Sequence, residues 1–237
     1  MAKLDLTRLP KHIGIIIDGN GRWALKRGLT RQNGHDAGFK TLTKMLKYAF
    51  NDLNIDTISI YCFSTENWNR PKAEVDHLMY IFKNSFEKDF REIMDMGVRI
   101  YVSGDYSKFP DTIPDEIKDV LEKSKDNTKH KLNLCLNYGS HDEILRAVNN
   151  IIKDGVKEVD KTTFNSYLYS KDLTPLDLVI RTSGECRLSN FMLWQLAYAE
   201  FYFEKTHWPS FNARKLKRAL IDYQSRDRRF GAIKEKK

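Results

Sequence analysis

Six short apolar runs, His12 to Ile17, Thr57 to Phe63, Val98 to Ser103, Lys131 to Asn137, Leu176 to Arg181 and Ala199 to Phe203, alternate with longer segments of helical period. This alternation limits the possible folds more than any other feature. Strands separated by helical stretches must be joined by crossovers, so the pattern predicts βα units around a mostly parallel, six-stranded central sheet surrounded by helices. No internal repeat or low-complexity linker divides the 237 residues, and 1–237 is expected to be one α/β domain.

Between the second and third runs, Val75, Leu78, Met79, Phe82, Phe86, Phe90, Ile93 and Met94 recur every three to four residues, which predicts one long amphipathic helix. Pro71 suits its first turn and Gly97 its C-terminal cap. Alone, such a stripe reads as core. It also offers more aromatic and flexible groups than one sheet face usually needs, so a helix leaning away from the sheet would leave an apolar tunnel between sheet and helices.

With 41% hydrophobic and 30% charged residues, a chain of this size buries about 70% of its unfolded surface, which excludes disorder, collagen and a disulfide scaffold. Cys62, Cys135 and Cys186 lie far apart without a CxxC pair, so neither a zinc site nor a disulfide framework is suggested, and a reducing cytoplasm is expected. No secretory signal is read at the N-terminus. The most apolar stretch, Phe191 to Phe203, is too short to span a bilayer and contains Gln195 and Glu200. The net charge of +8 lies wholly in the last 33 residues, which hold 11 basic and 3 acidic side chains, whereas the remaining 29 basic and 29 acidic residues cancel. A solvated helix face with a Lys-rich tail accounts for this, as does contact with an anionic ligand or membrane; no nucleic-acid module motif is present.

Three polar clusters follow strand ends, where open α/β sheets bind ligands. The first is Asp18-Gly19-Asn20-Gly21-Arg22-Trp23, followed by Lys26, Arg27, Arg31 and His35. Its glycines let backbone N–H groups approach a phosphate, Arg22 supplies a charged fork, and Asp18 suits a hard cation bridging phosphate oxygens. DGNG alone is equally an ordinary turn. The second cluster is Ser64-Thr65-Glu66-Asn67-Trp68-Asn69-Arg70, with Glu74 one turn into the long helix; it fits substrate orientation or a capping loop. The third is Arg181-Thr182-Ser183-Gly184-Glu185-Cys186-Arg187-Leu188-Ser189, a second oxyanion site. Two such sites imply two phosphorylated substrates. Glu200 falls inside apolar sequence, where a carboxylate must find an Arg, a backbone N–H or a metal.

The motifs DGNGRWA, GHDAG, FSTENWNRP, RTSGECRLSNF, LWQLAYAE and RDRRFG, in this order, resemble those of the cis-prenyltransferase family, in particular bacterial undecaprenyl diphosphate synthases. The likeness spans about His12 to Gly231, leaving 232–237 as a basic tail. It implies a cytoplasmic enzyme that condenses isopentenyl diphosphate repeatedly onto an allylic diphosphate such as farnesyl diphosphate, giving a long cis-polyprenyl diphosphate, the lipid carrier precursor of bacterial cell-wall synthesis. It further implies Mg²⁺ as cofactor, a homodimer meeting near Phe191 to Phe203, and peripheral contact with the inner face of the plasma membrane through product and basic C-terminus.

By motif position, Asp18 and Glu200 would serve the metal. Gly19, Asn20, Gly21, Arg22, Trp23, Arg31 and His35 would surround the allylic diphosphate. Arg181, Arg187 and Ser189 would bind isopentenyl diphosphate, joined by Arg229 reaching a neighbouring active site. Ser64, Thr65, Glu66, Asn67, Trp68, Arg70 and Glu74 would order over the substrates, with Asn67 assisting proton loss. Cys186 and Asp36 depart from the family's usual residues without removing a phosphate ligand. A noncatalytic scaffold of the same fold is the rival reading; Asp18, Asn20, Arg22 and Arg181 speak against it.

Overall fold

The structure, a computed structural model, describes residues 3–87, 89–110 and 112–228. Its sheet contains β1 (His12–Ile16), β2 (Thr57–Ser64), β3 (Val98–Ser103), β4 (His130–Tyr138), β5 (Leu178–Arg181) and β6 (Glu200–Phe203). The order is β3-β4-β2-β1-β5-β6 and every pairing is parallel. The six expected strands are therefore present, β3 with the expected ends and the others with ends shifted by one or two residues. Every residue of β1 and β5 is buried, as befits central parallel strands with both faces covered.

Helices α1 (Asn20–Leu25), α2 (Arg31–Lys47), α3 (Lys72–Glu87), α4 (Asp89–Asp95), α5 (Ile113–Ser124), α6 (Ser140–Lys153), α7 (Lys161–Tyr167) and α8 (Ala213–Gln224) surround it. The single long helix expected from the stripe appears as α3 and α4, on either side of residue 88, which is outside the described residues. Among the described residues no helix is long and apolar enough to cross a membrane.

Local chemistry fixes where α2 and α3 begin. Thr30 caps α2 by accepting from the Asn33 N–H, and the Asn33 side chain answers by accepting from the Thr30 N–H. The Pro71 carbonyl accepts the first amides of α3, from Glu74 at 2.9 Å and Val75 at 3.2 Å. One apolar cluster joins β1, β2, β4 and β5 to the buried faces of α2, α3 and α5. A second, on the other side of the sheet, joins Ile16, Tyr61, Tyr138 and Val179 to Phe191 and Met192. Phe191 is fully buried and stacks on Tyr61 with ring centres 4.9 Å apart. Truncating it to Ala would cost about 3–5 kcal/mol.

Candidate active site

Because all strands point the same way, the ends of β1, β2 and β5 deliver the three polar clusters to one edge of the sheet. They meet at a cavity of about 660 Å³. Its polar mouth holds Asp18 to Arg22, Arg31, His35, Ser64, Asn67, Asn69, Arg70, Glu74, Arg181, Arg187 and Ser189. Its depth is apolar, walled by Phe39 and Leu42 of α2, Leu78, Ile81, Phe82 and Phe86 of α3, Phe90 of α4, and Leu134 and Leu136 of β4.

Asp18 joins the first and third clusters. Arg181 donates to its Oδ2 and Arg22 to its Oδ1, each at 3.0 Å. Burial works against ionisation of Asp18, but the Arg181 hydrogen bond and the charges of Arg22 and Arg181 outweigh it and hold the pKa below the usual carboxylate value. Arg181 also donates to the Arg187 carbonyl and, at 2.9 Å, to Ser189 Oγ. Among the described residues its buried Nε has no partner. The strand-end loop that carries Arg187 holds Ser183, Ser189, Asn190 and Met192 at positive φ, a strained run that hydrogen bonds fix in place.

The GHDAG segment brings α1 and α2 together. A Cβ at Gly34 would lie 2.1 Å from the Asn20 carbonyl oxygen, and one at Gly38 would lie 2.4 Å from Asn20 Oδ1, so only glycine lets α2 seat the turn that follows Asp18 this closely. His35, on the same face, is buried with Nε2 3.0 Å from Glu74 Oε1, and Arg70 donates to that oxygen at 3.1 Å. Burial lowers the His35 pKa against the opposing pull of Glu74. Glu74 is thus a tie between α2, α3 and the second cluster, rather than only a helix-terminus charge. Asp36 forms a parallel tie, 2.9 Å from His77 Nε2.

Within the second cluster, Asn67 accepts from the Ser64 N–H at 3.2 Å and donates to Ser64 Oγ at 2.8 Å, which holds its amide at the cavity rim. Three neighbours face elsewhere. Thr65 donates to Asp142, Glu66 accepts from Asn190, and the Trp68 indole donates to Asn137 while its ring packs on Phe63. Trp23 donates to Ser210 Oγ at 2.7 Å and faces a different cavity.

Glu200 requires a correction. It pairs with Leu178, which pairs with Ile13, so it lies at the amino end of the sheet while Asp18 lies beyond the carboxyl end. Five residues of strand separate the two levels, about 16 Å. Arg226 occupies its carboxylate at 2.7 Å. Within one chain, therefore, Glu200 does not join Asp18, and the charge in apolar sequence is explained by an edge strand with a neighbouring arginine. Arg229, Phe230, Gly231 and the tail 232–237 lie outside the described residues.

Glu185 was not foreseen as a site residue. It accepts from both Arg22 and Arg187 and so spans the two cation clusters; a carboxylate set two residues before an arginine within RTSGECR was the available signal.

Among the described residues no group of three or more His, Cys, Asp or Glu could hold a metal ion. The donor set therefore fits Mg²⁺ only as a cation held by one carboxylate and completed by substrate phosphate oxygens and water, which is that ion's usual coordination. Of the described residues, two carboxylates lie between the arginine clusters, Asp18 and Glu185, and of these Asp18 is in the lining of the cavity.

A family model described as "Putative undecaprenyl diphosphate synthase" matches residues 16–231. An isoprenyl transferase of Clostridium perfringens is 46% identical over 233 residues, covering 96% of this chain and 92% of its own. One from Fusobacterium nucleatum is 47% identical, covering 95% and 97%. Among solved structures, lavandulyl diphosphate synthase from Lavandula x intermedia in complex with dimethylallyl diphosphate superposes with a TM-score of 0.88 at 34% identity, covering 94% of this chain and 99% of that one. A probable undecaprenyl diphosphate synthase from Campylobacter jejuni gives 0.77 at 32% identity, covering 98% and 100%.

Proposed function

The chain belongs to the undecaprenyl diphosphate synthase family of isoprenyl transferases, and from that premise we propose that it condenses isopentenyl diphosphate repeatedly onto an allylic diphosphate, farnesyl diphosphate first, to give undecaprenyl diphosphate. The observation that carries this reading is the Asp18 carboxylate bridging Arg22 and Arg181 at the mouth of an apolar cavity. Two cationic clusters a single side chain apart suit two diphosphates whose hydrocarbon ends must meet, and the apolar depth suits a chain that grows away from them. The complex of the lavandulyl relative with dimethylallyl diphosphate supports an allylic diphosphate as one substrate.

In this reading Gly19, Asn20, Gly21, Arg22 and Arg31 hold the allylic diphosphate. Arg181, Arg187 and Ser189 hold isopentenyl diphosphate, and the unpartnered Arg181 Nε is a donor buried at that position. Asp18 would hold Mg²⁺, which when bound would supply charge neutralisation for the departing diphosphate. The arginines add fixed positive charge where negative charge develops, in a site partly shielded from water. Asn67, whose amide is pinned to Ser64, is the candidate to assist proton loss by orienting the diphosphate oxygen or water that takes the proton as each new double bond forms. The cytoplasmic homodimer belongs to the same proposal. The dimer is supported by Tyr198 and Phe203, large side chains exposed just before and within the edge strand β6, whereas Phe191, Met192 and Leu196 of the same stretch are core.

Incubation with radiolabelled isopentenyl diphosphate, farnesyl diphosphate and Mg²⁺ tests the reaction. Extracted product should lengthen in five-carbon steps, and no elongation at any metal concentration would refute it.

A further inference from the structure

A second cavity, of about 470 Å³, lies on the other side of Arg22 from the first. Arg22, Lys26, Arg27 and Lys205 line it together with Ser183 and His207. Cations gathered around one concavity repel one another. Among the described residues, only Arg22 of these four is ion-paired with a carboxylate. His207 registers the crowding: its pKa is lowered first by burial and then by the charges of Lys26 and Arg22.

The shared wall is well braced. Ser183 sits at φ 80°, donates its N–H to the Thr206 carbonyl at 2.9 Å, and keeps Oγ 2.7 Å from His207 Nδ1. A Cβ at Gly19 would come within 2.6 Å of that Oγ and 2.8 Å of that ring nitrogen, so the turn bearing Asp18 rests directly on this wall. On the other lip, the Arg27 guanidinium lies 4.3 Å over the Trp23 ring, whose N–H is already spent on Ser210. What remains is a concavity rich in cationic donors and hydroxyls. Its complement is an anion presenting several acceptor oxygens at once.

We propose that this second cavity is a binding site for a phosphoryl anion, distinct from both diphosphate positions of the reaction above, with the phosphate carried either by a soluble molecule or by a phospholipid headgroup. Leu25 and Leu29, 55% and 42% exposed beside Lys26 and Arg27, give the headgroup source an apolar foothold.

The test compares the full-length wild type with Lys26→Glu/Lys205→Glu, two residues that line the second cavity and not the first, and with Arg187→Ala, a residue that lines the first cavity and not the second. Inorganic phosphate is titrated calorimetrically, and cosedimentation is measured with vesicles of phosphatidylglycerol or of phosphatidylcholine. The double variant should lose at least about tenfold in affinity for one class of phosphate site or for phosphatidylglycerol vesicles. Its kcat and KM for isopentenyl transfer should stay within about twofold of wild type, while Arg187→Ala should keep the binding that the double variant loses. Loss confined to free phosphate identifies a soluble ligand, and loss confined to phosphatidylglycerol identifies a headgroup. Equal affinity of wild type and double variant for both probes overturns the proposal. These binding measurements need no turnover, so failure of the reaction assay leaves them unaffected.

Discussion

At the scale of single residues, Asp18 has the most specific consequences. Asp18→Asn keeps the shape and removes the charge that pairs with Arg22 and Arg181, so turnover should fall by at least about 10²-fold while the urea unfolding midpoint moves little; retained turnover would mean the metal role is misassigned. His12 makes a prediction about stability. Its ring is buried, with Nδ1 2.7 Å from the Thr174 carbonyl and Nε2 2.8 Å from Ser59 Oγ, and burial lowers its pKa to about 4. The unfolded chain, with histidine near its ordinary value of 6.5, therefore binds a proton that the folded chain refuses. Stability from this group is complete above pH 6.5 and is lost as pH falls toward 4, by about 3 kcal/mol in all. Urea titrations across that range should show the decline, and His12→Gln should flatten it. Individual residues were also where the sequence was least informative. Trp68 and Glu66 stand in a motif beside Asn67 yet turn to Asn137 and Asn190, because a 3₁₀ turn sends neighbouring side chains in different directions.

At the scale of elements, the α3 stripe divides its labour. Leu78, Phe82 and Phe86 reach the cavity, while Val75 and Met79 are buried in the core without lining it. Periodicity alone could not separate these uses, since core and cavity wall both ask for apolar residues at helical spacing. The ties from α2 to α3, His35 to Glu74 and Asp36 to His77, were also hidden, for they join residues 39 and 41 apart in sequence. Ile81 lies on the α3 wall of the cavity, and Ile81→Trp would fill part of its depth. Chromatography of the polyprenyl products should then show shorter chains at a nearly unchanged first condensation; full-length product would remove α3 from the proposed wall.

At the scale of the whole molecule, the strand pattern was legible because buried parallel strands leave compact apolar runs, and the polar loops behind them marked one edge of the sheet before any contact was known. The lateral order β3-β4-β2-β1-β5-β6 was not legible, since crossovers of similar length reach several neighbours. Glu200 misled for the same reason: sequence shows that a carboxylate lies in apolar company, but the strand register decides which end of the sheet it occupies. The exposed edge at β6 yields an assembly prediction. Sedimentation should give a dimer, and Phe203→Glu, which places charge on that edge, should shift it toward monomer; an unchanged dimer would locate the contact elsewhere.

The charged rim of the first cavity lies at the sheet edge, and its oily depth runs between β4 and the helices α2, α3 and α4. In the proposed reaction, new units join at the rim, so the tail already made must slide inward by one isoprene each cycle. Length is then gauged at the end remote from the chemistry, and a bulky side chain there stops synthesis without ever meeting a phosphate.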